Sequence, residues 1–203
     1  MGFYDRHVLP RLITLAMDQR QLDPYRRRLC QGARGRVLEI GAGAGANLPF
    51  YGGGVDELIG VEPSGPLITT ARRRAGGMNA RFLQASAEDL PIDNHSIDTA
   101  VMSFTLCSVP QAAGALDEVR RVLKPGGELL FVEHGRGPET GVARLQDRLT
   151  PLWRRIAGGC KLNLPIDQAI TAAGFHLDRL STGYLAGRSP FTFIYEGRAR
   201  SPG

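Results

Sequence analysis

Cysteine is scarce in this 203-residue chain, and lysine, tyrosine and tryptophan are scarce as well. The three cysteines, Cys30, Cys107 and Cys160, lie far apart, with no CxxC pair and no metal-ligand spacing. That excludes a zinc ribbon and a disulfide-stapled scaffold, and no metal site is expected. An odd number of thiols without a secretory leader points to a reducing, cytoplasmic compartment. No apolar run approaches the roughly twenty residues that cross a bilayer, so no integral membrane segment is expected. Repeats and low-complexity tracts are missing too. The few aromatics are not interleaved with the basic residues, which argues against a nucleic-acid platform.

What is present is an ordinary globular composition, 42% apolar, long enough for one domain with a sizeable core. Net charge is +5, from 25 basic and 20 acidic residues, and arginine supplies nearly all of the basic total. The "RRR" runs at 26–28 and 72–74 read as solvated helix faces, with a patch for an acidic partner or for membrane headgroups as the alternative.

Periodicity predicts helical structure over residues 3–30, on the apolar spacing of Val8, Leu12, Leu15 and Leu22, with Pro10 and Pro24 interrupting it or starting turns. Strands and helices then alternate. Strands are expected at "GRVLEIG", "ELIGVEP", "ARFLQASAEDLP", "SIDTAVMSFTL" and "GELLFVEHG", with helices at "PLITTARRRA" and "AAGALDEVRRVL", the latter closed by "KPGG". A helix should also begin near Asn47. A polar, helical insertion runs from about 138 to 160, a further helix follows at "PIDQAITAAGF", and "HLDRLSTGYL" and "PFTFIYEGRAR" close the chain as an antiparallel pair. The implied fold class is α/β, a doubly wound, mostly parallel seven-stranded sheet with helices on both faces and a closing antiparallel hairpin.

The stretch "VLEIGAGAGANLPFY" places Gly41, Gly43 and Gly45 at alternate positions just past a strand. Each glycine costs conformational entropy, so bare backbone is needed there, as where a ligand meets the carboxyl end of a doubly wound sheet. "GAGAGA" also satisfies the dinucleotide fingerprint G-x-G-x-x-G/A. Glu39, just before the bend, separates the readings, because a carboxylate repels a pyrophosphate but suits a sulfonium or an amino group.

With "GVEP", "AEDLP" and "LDEVRRVLKPGGELLFVEH" following in order, residues 35–134 resemble the class I S-adenosylmethionine (SAM)-dependent methyltransferases. The resemblance implies SAM as cofactor, bound by Glu39, Gly41, Ala42, Gly43 and Asn47 around the methionine part. Glu62 takes the ribose hydroxyls, Pro63 and Ser64 flank the adenine, and Ser86, Ala87 and Glu88 meet its edge. Many relatives carry Asp where this chain has Ser86. Ser103, Phe104 and Thr105 lie under the transferred methyl.

Outside those motifs, "NLPFYGGG", "TLCSVPQ", "FVEHG" and "LTPLWRRIAGGCKLN" resemble the small-molecule thiol S-methyltransferases. The animal enzymes open with an apolar anchor, which is not expected here. Bacterial phosphatidylethanolamine N-methyltransferases share some of the stretches, which leaves a lipid headgroup amine as the alternative acceptor. The resemblance thus implies a small-molecule substrate, and the sequence leaves the chain a monomer or a homodimer. His134 is the candidate general base, set against a satisfied loop histidine, and Tyr4, Asp5 and His7 are candidate substrate contacts on a first helix that lids the site. Cys107 and Cys160 read as small buried apolar groups. Trp153 and Phe50 are read as core or as an aromatic wall, with Tyr51 and Asn163 as weaker candidates. Residues 1–30 are expected to form the lid and 138–165 a substrate-side insertion of one domain.

Overall fold

The structure, a computed structural model, describes residues 17–202 together with Leu12, Thr14 and Leu15. Seven strands form one sheet: β1 (Gly35–Ile40), β2 (Val55–Val61), β3 (Ala80–Leu83), β4 (Ile97–Ser103), β5 (Leu123–His134), β6 (His176–Tyr184) and β7 (Phe193–Arg200). Their order is β3-β2-β1-β4-β5-β7-β6. The first five run parallel, and β7 pairs antiparallel with both β5 and β6.

The apolar runs explain this arrangement. A parallel strand is buried on both faces, so it reads as a continuous apolar stretch rather than an alternating one. Successive residues feed separate cores. Leu38, Ile40, Ile59 and Phe131 face one side, covered by α3 (Ala112–Val122) and α5 (Ile166–Ala172). Val37, Leu58, Leu130 and Val132 face the other, under α1 (Asp23–Gln31) and α2 (Gly65–Ala75). The remaining helix, α4 (Thr140–Ile156), runs through the segment expected as an insertion. β6 is the exposed edge of the sheet, and its polar sequence suits that place. Strand order reverses between β1 and β4, which puts the glycine bend at the switch point.

Three local expectations need correction. No α-helix follows the glycine bend. A single 3-10 turn, Leu48–Phe50, is followed by extended Tyr51, because Pro49 and the Gly52–Gly54 run do not sustain a helix. The break within residues 3–30 falls at Gln19 rather than at Pro24. Leu12, Thr14, Leu15 and Met17 are helical, Gln19 is extended, and α1 starts at Asp23 with Pro24 in its first turn. The "KPGG" segment belongs to β5 as a bulge, since Leu123 pairs with Ile97 and Glu128 with Thr99.

Candidate active site

Gly41 follows β1 with φ +68°, and Gly43 has φ +54°. A Cβ on Gly41 would overlap the Thr105 side chain, and one on Gly45 would lie 2.5 Å from Leu48 Cδ1. Two of the three bare positions are therefore filled by protein. Around Gly43 the nearest atom to such a Cβ is Gly41 O at 3.8 Å, so this glycine alone opens onto free space. Ala42, between them, is buried against the β2 side, where a Cβ on Gly60 would stand 3.0 Å from its own.

Glu39 is 2% exposed at the end of β1. Its carboxylate accepts hydrogen bonds from Asn47 Nδ2 and from the Tyr51 hydroxyl, each at 2.9 Å. Burial, partly offset by these two donors and by the Arg26 charge, pushes its pKa up to about 7. Asn47 Oδ1 is buried without a partner. A carboxylate beside an orphaned amide oxygen fits a bound ammonium, which would supply the missing donor and the missing charge. Arg26 is also buried, its Nη2 donating to Met17 O at 2.5 Å. The first "RRR" run is thus not a uniform solvated face. Arg26 turns inward, Arg27 lies over the Phe50 ring at 5.5 Å, and Arg28 pairs with Glu196 through two bonds of 2.8 Å.

Glu62, 8% exposed past the end of β2, ties the two neighbouring loops. Gly43 N–H donates to one carboxylate oxygen at 3.2 Å and Ser64 N–H to the other at 2.9 Å. Burial raises its pKa against the pull of those donors. Each oxygen keeps a second lone pair, so both can still accept a hydroxyl. Pro63 is exposed beside it. Across the same sheet end, Ser86 is exposed and its Oγ accepts the Glu88 N–H at 3.2 Å, while Glu88 accepts the Gln111 N–H at 2.6 Å. Ala87 is buried between them.

On the far side of the switch point, β4 ends at Ser103. Phe104 takes φ +54° and its N–H donates to Val132 O at 2.9 Å. The turn is held by Glu133, whose Oε1 accepts the N–H groups of Thr105 and Leu106 at 2.9 and 3.1 Å. Glu133 is fully buried, its Oε2 has no partner, and burial pushes its pKa up to about 8. His134, 8% exposed, ends β5 with Nε2 3.3 Å from Pro190 O. Gln146 of α4 fastens the same corner, donating to Gly135 O and Pro190 O at 3.0 Å and accepting the Gly137 N–H at 2.9 Å. Trp153 packs on Phe191 with ring centroids 4.8 Å apart, and Asn163 donates to Asp147 at 2.8 Å.

The structure gathers the predicted residues of the bend, of the loops after β2 and β3, and of the ends of β4 and β5 at the carboxyl end of the parallel strands. Tyr4, Asp5 and His7 lie outside the described residues. Sequence reasoning passed over Glu133, although it sits at a strand end just as Glu39 does and could have been found by that parallel. It placed Arg26 on a solvated face, whereas the side chain is buried, it passed over Gln146, which no local pattern marks, and it kept Cys107 and Cys160 apart. Their sulfurs lie 3.4 Å from each other. Among the described residues no cluster of potential metal ligands is present, and no helix is long and apolar enough to cross a membrane.

A Rossmann-like sheet with a glycine bend at its switch point and acidic residues ending β1 and following β2 defines a class, and comparison shows what the chain resembles. Residues 38–131 match the model of a methyltransferase domain. The chain is 36% identical over 146 residues to a thiol S-methyltransferase of Rattus norvegicus, across 68% of this chain and 59% of that protein. It is 32% identical over 126 residues to a phosphatidylethanolamine N-methyltransferase of Cereibacter sphaeroides, across 57% and 62%. It thus spans about three fifths of these curated relatives' lengths. A solved structure of a SAM-dependent methyltransferase from Thermotoga maritima, described as a possible histamine N-methyltransferase, superposes with TM-score 0.70 at 24% identity over 96% of this chain and 99% of that one. This likeness concerns the fold.

Proposed function

We propose that the protein transfers the methyl group of SAM to the sulfur of a small, fairly apolar thiol. When bound, SAM supplies an electrophilic methyl on a sulfonium. In this reading Glu39 and Asn47 hold the amino group, the open backbone at Gly43 admits the methionine part, and Gly41 and Ala42 shape the bend. Glu62 takes the ribose hydroxyls. Pro63 and Ser64 flank the adenine, and Ser86, Ala87 and Glu88 meet its edge. Ser103 and Phe104 form the floor below the reacting groups. Alignment is the main thing such an enzyme must supply, worth roughly 7–11 kcal/mol in favourable cases. A thiol acceptor needs only to lose its proton, and His134 at the end of β5 is the group assigned to take it. Residues 1–30, with Tyr4 and Asp5, act as the lid, and 138–165 form the substrate side of a single domain.

The observation that carries the thiol assignment is the similarity to the rat thiol S-methyltransferase. Its 146 residues run beyond the 38–131 stretch that the domain model covers, and so beyond the cofactor-binding part. A second reading, N-methylation of a phospholipid headgroup amine, rests on the similarity to the Cereibacter sphaeroides enzyme. Incubation with SAM and a panel of small thiols, beside aminophospholipid vesicles, separates the two. S-methyl products are expected. Turnover of the amine with no S-methyl product from any thiol would overturn the assignment.

A further inference from the structure

Cys107 lies in the turn after β4 and Cys160 just beyond α4, separated by 53 residues and brought to a sulfur–sulfur distance of 3.4 Å. The backbone sets this meeting, because Lys161 N–H donates to Cys107 O at 2.8 Å and Lys161 Nζ donates to Val109 O and Pro110 O at 2.9 and 2.7 Å. Gly158 and Gly159, at φ +60° and +89°, form the turn that delivers Cys160. A covalent bond between the two cysteines would bring the sulfurs to about 2.0 Å.

The two thiols are unequal. Cys107 is 3% exposed, whereas Cys160 is partly open to solvent. The hydrogen bond shared with Cys107, together with His134 and Trp153, lowers the Cys160 pKa to about 5, while Cys107 is held well above the usual thiol range. Trp153 Nε1 is buried with no acceptor at hydrogen-bonding geometry, a donor facing the sulfur that ionises. An accessible low-pKa thiolate with a protonated thiol behind it has the layout of an attacking and a resolving cysteine.

We propose that Cys160 and Cys107 form a thiol–disulfide exchange site that takes up a small-molecule disulfide and releases it as two free thiols beside His134. The Cys160 thiolate attacks one sulfur of the disulfide, giving a mixed disulfide and expelling the first thiolate. Cys107 then passes its proton to a released thiolate and attacks Cys160 Sγ, forming the Cys107–Cys160 disulfide and expelling the second. Two protein thiols are oxidised and one external disulfide is reduced; the Cys107 proton leaves on the first product thiol, and the second product thiolate takes from solvent the proton that Cys160 had released on ionising. The exchange stands by itself, whereas its use as a supply of methyl acceptor rests on the S-methylation reading.

Reduced protein incubated with bis(2-hydroxyethyl) disulfide and followed by intact-mass spectrometry and peptide mapping tests the site. The wild type should lose two hydrogens and yield a Cys107–Cys160 cross-linked peptide, with attack at Cys160 at least about tenfold faster than at buried Cys30. Cys107→Ser and Cys107→Ala should stop at a mixed disulfide on Cys160, and Cys160→Ser should give neither product. A wild type that stays fully reduced, adducts that form as fast on Cys30, or a Cys160→Ser variant that reacts like the wild type would overturn the proposal. If the Cys107 variants do not fold, the wild-type cross-link alone decides. Thiol methylation without exchange would remove this site and leave the S-methylation reading intact, and exchange without thiol methylation would do the reverse.

Discussion

Gly41 and Gly43 stand two residues apart in the same bend and meet opposite surroundings. Both hold φ in the left-handed region, which costs any other residue about 1–2 kcal/mol. Gly41 also faces Thr105, so its lack of a side chain serves packing across the switch point, whereas Gly43 faces open space. Gly43→Ala should therefore cost only about 1–2 kcal/mol in urea unfolding yet lose most SAM affinity. Gly41→Ala should cost roughly 3 kcal/mol or more, since overpacking adds to the backbone strain. Equal stability losses would show that both positions are packed alike. At this scale Glu39 and Glu62 were legible in the sequence, because a carboxylate at the end of an apolar strand has few reasons to be there. What the sequence does not reveal is which glycine answers to protein and which to ligand, since that depends on Thr105, 64 residues along the chain from Gly41.

At the scale of elements, strands were easier to read than loops. β1, β2, β4 and β5 are runs whose two faces are both buried, and composition alone marks them. The helix expected after the bend failed because one proline and three glycines outweigh a position that elsewhere in this fold class is helical. Glu133 joins two elements, fastening the turn after β4 to the end of β5. Its folded-state pKa, near 8, lies above the ordinary glutamate value of 4.5. Its contribution to stability is thus complete below about pH 4.5 and is lost as pH rises through about 8, because the folded chain then binds the extra proton that the unfolded chain has released. Wild type should accordingly lose stability relative to Glu133→Gln between those pH values in thermal melts. Parallel curves for the two proteins would mean that Glu133 is ionised throughout.

For the whole molecule, the doubly wound order with its antiparallel close was readable from strand–helix alternation, while the convergence of distant side chains was not. Cys107 and Cys160 carry no local signal, and only the placement of α4 and the glycine turn after it beside the turn after β4 brings them together. The same holds for Gln146, which reaches from α4 to the loops at residues 135–137 and 190. The central claim is that this carboxyl end of the sheet, with Gly43 open between Glu39 and Glu62, holds SAM. Isothermal titration with SAM, its demethylated product and NAD tests that claim most directly. SAM and its product should bind and NAD should not, and Glu62→Ala should weaken SAM binding by about 1–3 kcal/mol. Binding of NAD with no heat from SAM, or unchanged SAM affinity in Glu62→Ala, would contradict it.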